Sequence, residues 1–201
     1  KRTSASRHAS RGDGLSTNWR SRKRAFNLVA ELPDLVNRLA GRQSRANLQA
    51  VVDFIGGDPS RFAELVRIFD RGHGRIRQCA AWPISVVAER HPELLVPHLG
   101  KLVEYLPRKD VHNAVKRSVT RLLQFVDVPK RLHGKVFSYC LDLVADPSEP
   151  VAVRCFSMTA AAKIAKNQPS LMGELKLIAE NQIEHATAGM RVRIGRMVSG
   201  K

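Results

Sequence analysis

The chain has 201 residues, of which 43% are apolar, 26% charged and 5% aromatic, and its 34 Lys+Arg against 18 Asp+Glu leave a formal net charge of +16. A chain of this length buries roughly 70% of its unfolded surface, so a disulfide-stapled miniature is excluded, and the ordinary apolar fraction excludes a wholly disordered polypeptide. The excess of cations predicts a negatively charged partner.

Residues 1–24 hold Lys1, Arg2, Arg7, Arg11, Arg20, Arg22, Lys23 and Arg24 with one acid, Asp13, among Ser, Gly and Thr. The composition predicts a disordered basic arm, with a structured domain over 25–200. From Ala25 onward apolar residues recur at helical spacing, as in Leu95, Leu99, Leu102, Val103 and Leu106, and no window alternates as a half-buried strand does. The fold class is therefore all-α.

Prolines punctuate this region at Pro59, Pro92, Pro129 and Pro169, spaced by 33, 37 and 40 residues, each read as opening a helix. A second marker, an aliphatic residue followed by a cation, falls at Ile76-Arg77, Val115-Lys116, Val153-Arg154 and Val192-Arg193, spaced by 39, 38 and 39. A shared period with two helices per unit is the mark of an α-solenoid, whose helix pairs bury their apolar faces by stacking on their neighbours. Five units are expected. Their first helices are placed at 25–40, 59–70, 92–107, 129–144 and 169–184, and their second helices at 43–55, 75–90, 111–125, 150–166 and 188–199.

The chain at this point resembles the HEAT repeat family. The resemblance is carried by Asp110 followed by Val115-Lys116-Arg117-Ser118-Val119, and by Val153-Arg154-Cys155-Phe156, which are similar to that family's turn Asp and its V-R-x-x-A signature. It departs from the pattern at Val119 and Ser157, where a small Ala belongs, and Asp146 stands eight rather than six residues before Arg154. The resemblance implies an α-α superhelix of about five helix pairs whose second helices line a concave surface.

Charge is segregated between the two helix types. The second helices carry Arg45, Arg75, Arg90, Arg77, Lys116, Arg117, Arg121, Arg154, Lys163, Lys166, Arg191, Arg193 and Arg196 against Asp53 and Glu89 alone, whereas the first helices are close to balanced. The last ten of those cations form the candidate partner-binding face. Arg77, Lys116, Arg154 and Arg193 share one repeat position, where pairing with a loop carboxylate of the adjacent unit is an equally available role. The expected partner is an acidic protein segment or a nucleic acid backbone, contacted through this face and the arm.

Little in the sequence points to catalysis. The seven histidines show no H-E-x-x-H and no zinc spacing with Cys79, Cys140 or Cys155, and no glycine-rich phosphate loop is present. No cofactor, metal or small-molecule substrate is expected. The odd cysteine count inside apolar stretches reads as reduced core thiols. The longest run without charge, 78–88, is far short of the ~18 residues of a membrane span, and no apolar signal segment follows the basic start, so the expectation is a cytoplasmic protein without a membrane partner. His73 lies in a Gly-His-Gly turn that could approach a ligand or be a turn only. The alternative function is a HEAT-like DNA glycosylase acting on alkylated bases, which would draw on Asp53, Glu89 and Trp82; with Pro83 following, packing is the favoured role for the indole.

Overall fold

The computed structural model describes residues 35–41, 43–184 and 186–199, all helix, turn or coil. The basic arm and residues 25–34 of the expected first helix lie outside the described residues. Residues 35–40 are helical and are named α1; α2 follows at Arg45–Ile55, α3 at Pro59–Arg71 and α4 at Arg75–Arg90. The starts of these helices are written locally. Ser44 Oγ accepts from the Asn47 amide at 3.1 Å, and the Asp58 carboxylate accepts from the amides of Ser60 (2.8 Å) and Arg61 (3.0 Å), with Pro59 in the first turn. Gly72-His73-Gly74 makes the turn into α4, where Gly74 adopts φ +49°.

The third unit departs from expectation. Its first helix is not continuous over 92–107 but broken into α5 (Pro92–Leu95), a 3-10 turn (Val96–His98) and α6 (Leu99–Val103). Pro97 supplies the reason: it has no N–H to give to the carbonyl four residues back, and its ring crowds that carbonyl. Pro83 is instead tolerated within α4. Then come α7 (Asn113–Leu122), a 3-10 turn at Lys130–Leu132, α8 (His133–Ala145), α9 (Val151–Ala165), α10 (Pro169–Glu180) and α11 (Ala188–Val198). Pro129 stands one step before helical geometry, with ψ 140°, so it leads into the 3-10 turn rather than opening α8.

The second helices form one layer: α2 packs on α4, α4 on α7, α7 on α9 and α9 on α11. Within units, α3 packs on α4, α8 on α9 and α10 on α11, most extensively in the first two pairs. The core runs without interruption between the layers. Phe62, Phe69, Leu95, Leu99, Leu102, Leu106, Leu122 and Leu123 are fully buried, and Val136, Val144, Val153, Met158 and Leu175 continue the core toward the last pair. This stacking fixes the positions of the second-helix cations.

A candidate binding face on the second helices

Helices α7, α9 and α11 contain Lys116, Arg117, Arg121, Arg154, Lys163, Arg191, Arg193 and Arg196 and no Asp or Glu. Together with Arg77 and Arg90 of α4 and Lys166 at the C-cap of α9, these side chains divide into three groups by what they touch. The first consists of cations absorbed into the fold. Arg77 Nε and Nη2 donate to the carbonyls of Phe69 and Asp70, both at 3.2 Å, latching α4 to the end of α3 while the guanidinium lies 5.0 Å from the Tyr105 ring centroid. Lys116 is buried and pairs with the partly buried Glu149, which belongs to the turn between α8 and α9. Arg154 is 5% exposed, donates to Val144 O at 3.2 Å and reaches Gln182 Oε1 at 2.8 Å.

The Asp-to-cation spacing on which the resemblance rests does not produce the corresponding pairs. Asp110 is held by Arg108 at 2.8 Å and Asp146 accepts from the Ser148 amide and hydroxyl, while Lys116 and Arg154 turn to the partners just named.

The second group bridges consecutive second helices. Arg90 on α4 lies 3.7 Å from Asp53 on α2. Arg121 on α7 pairs with Glu89 on α4, donates to Ser85 O at 3.1 Å and lies over the Phe125 ring. Lys163 on α9 reaches back to Asp127, just beyond α7, at 2.8 Å and to Val126 O at 2.9 Å. The hydrogen bond from Lys163 holds the Asp127 carboxyl below the ordinary carboxylate range. Asp53 and Glu89, the carboxylates a base-excision chemistry would use, are thus both in ion pairs, and Trp82 is 36% exposed on α4 beside α2.

The third group is not neutralised. Among the described residues, the exposed side chains of Arg117, Lys166 and Arg196 have no hydrogen bond or ion pair. Arg191 donates to Ala186 O at 2.8 Å and Arg193 to Thr159 Oγ1, neither of which carries charge. Lys166, Arg193 and Arg196 come together around a cavity of about 680 Å³ between α9, α10 and α11. Its remaining lining is largely apolar, with Met158, Met172 and Met197 prominent. The gap between helices does not repeat in the sequence, so periodicity carries no sign of it.

No group of three His, Cys, Asp or Glu among the described residues is placed to hold a metal ion, and none of the described helices is long and apolar enough to cross a membrane. The three cysteines are free and buried, and burial pushes the Cys140 thiol up to about 12.

The model of the HEAT repeat domain matches residues 35–199, the whole of the stacked array. The chain belongs to the HEAT repeat family. No curated protein and no solved structure matches it. HEAT membership agrees with the paired helices and the second-helix layer, and it assigns the domain to a class of helical-repeat scaffolds and binding modules that are generally non-enzymatic. Within this HEAT array the second-helix layer carries the segregated charge.

Proposed function

We propose that this HEAT domain is a non-enzymatic binding module whose second-helix layer takes an acidic partner, with the basic arm adding to the attraction. The supporting observation is the run α7, α9, α11: three consecutive stacked helices with eight cations and no carboxylate of their own. Glu149, Glu89 and Asp127 neutralise Lys116, Arg121 and Lys163, and Arg154 is spent inside the fold. The contacts to a partner then fall to Arg117, Lys166, Arg191, Arg193 and Arg196. A surface of one sign draws in a polyanion and releases its counterions on contact.

The test is a titration of the full chain with labelled polyglutamate and, separately, with duplex DNA. Raising salt from about 50 to about 200 mM should weaken binding at least about tenfold. The triple variant Arg117→Glu, Lys166→Glu, Arg196→Glu should do the same at fixed salt, since none of the three holds the fold together. Binding that ignores salt, or a triple variant indistinguishable from the parent, rejects the reading.

A further inference from the structure

An acid repeats near the ends of α2 and α4 and in the coil after α7. Asp53, Glu89 and Asp127 are spaced by 36 and 38 residues, and each receives a cation from the next second helix: Arg90, Arg121 and Lys163. After a further 39 residues, at the end of α9, the residue is Lys166. The helix that follows still presents cations there, Arg193 and Arg196, so three positive side chains gather where the preceding joints have a salt bridge.

This is also the joint that opens into the 680 Å³ cavity. Its opening is braced on both sides: Arg193 ties α11 to Thr159 of α9, and Lys176 of α10 donates to Val198 O at the far end of α11, 3.0 Å away. Its apolar surface is Met172 and Met197, both half-buried, over core Met158, and Val192 at the edge is 56% exposed. Flexible thioethers adapt to apolar side chains of varied shape, which suits a surface that accepts residues rather than one fixed cofactor. The volume is that of a ligand pocket.

Resting on the reading of the layer as an anion-binding face, we propose that this joint is a docking pocket for an acidic segment of a partner protein, which seats apolar side chains among the methionines while its carboxylates meet Lys166, Arg193 and Arg196. Charge selects the occupant. A second copy of this chain brings a net +16, and residues 1–24 carry the same sign, so neither complements three unneutralised cations. A bare phosphate backbone would satisfy the cations and leave the apolar lining unused. An amphipathic acidic helix, with apolar residues at i, i+3, i+4 and i+7, uses both.

The probe is a fluorescein-labelled peptide of about 14 residues with Leu at that spacing and Glu elsewhere; its control replaces every Leu by Ser and keeps the charge. Against the full chain, the Leu peptide should bind at least about tenfold more tightly than the Ser peptide, the order expected for burying one or two apolar side chains. Val192→Glu, and separately Lys166→Glu with Arg196→Glu, should erase that advantage with helical content unchanged, because all three residues are exposed. Arg117→Glu should leave the ratio of the two peptides where it was. Equal binding of the two peptides overturns the pocket, and so does an unaltered advantage in the charge-reversed variant. A duplex oligonucleotide whose affinity falls with Val192→Glu, while the Leu peptide's does not, overturns it in favour of nucleic acid. Salt-sensitive polyglutamate binding without a Leu advantage removes the pocket alone; absence of polyglutamate binding removes the face with it.

Discussion

A buried charge is tolerated only where its partner is buried with it, and Lys116 with Glu149 is the clearest instance in this molecule. Both side chains are about nine-tenths hidden; Lys116 donates to Glu149 Oε1, and Oε2 has no hydrogen-bond partner among the described residues. Removing one member strands the other in a medium that solvates it poorly. Lys116→Ala should therefore cost about 3 kcal/mol or more in urea unfolding, while Lys116→Met combined with Glu149→Leu should cost much less, since no charge is then left alone. Asp70 makes a different prediction. Burial pushes its carboxyl up, but hydrogen bonds from Lys101 (3.0 Å) and Tyr105 (3.0 Å) outweigh this and hold it below its ordinary range. A lowered carboxylate contributes stability that is complete above its unfolded pKa, near 4, and lost as pH falls through the folded value. Thermal unfolding of Asp70→Asn should lie below the parent at neutral pH, with the gap closing as pH drops from about 5 toward 3.

Among the elements, the α3–α4 turn shows two glycines required for different reasons. A methyl group on Gly72 would stand 2.6 Å from Ile68 O and 3.0 Å from Ile76 Cγ2, and the first of these is backbone that cannot swing aside. Gly74 has open space around it but a φ of +49°, so its substitution costs conformational strain alone. Gly72→Ala and Gly74→Ala should each lower the unfolding free energy by about 2 kcal/mol, the first through the clash and the second through a backbone (φ 49°, ψ −117°) closed to residues with a Cβ, both read from the shift in denaturant midpoint at constant slope. The helices themselves were legible because Pro and Gly mark their ends and apolar residues keep the helical period. The broken first helix of the third unit was not read, although Pro97 stands in its middle: a smooth apolar pattern on both sides of a proline describes which face is buried, not whether the backbone stays continuous.

For the whole molecule, what the sequence could reveal was repetition, and what it could not was the fate of individual side chains. The sequence set Arg77, Lys116, Arg154 and Arg193 apart by their shared repeat position but left both a structural and a binding role open to them. Packing sorted the second-helix cations, because Arg77 and Arg154 lie within reach of carbonyls at the ends of α3 and α8, whereas Arg117 points where no described group meets it. The terminal cavity was equally hidden, since it depends on how far α11 stands from α9 and α10. Its one sequence trace is the switch from acid to Lys166 at the 36-to-39-residue interval, a signal carried by the carboxylates rather than by the cations.

That switch also gives the array a heading. An anionic chain laid along the stacked helices would be held more weakly at the end where Asp53 and Glu89 occupy Arg90 and Arg121 than at the end where Lys166, Arg193 and Arg196 meet no carboxylate. Of its two possible directions of travel across the units, the one that brings its most negative stretch to the last helix pair is favoured before any side chain has been recognised.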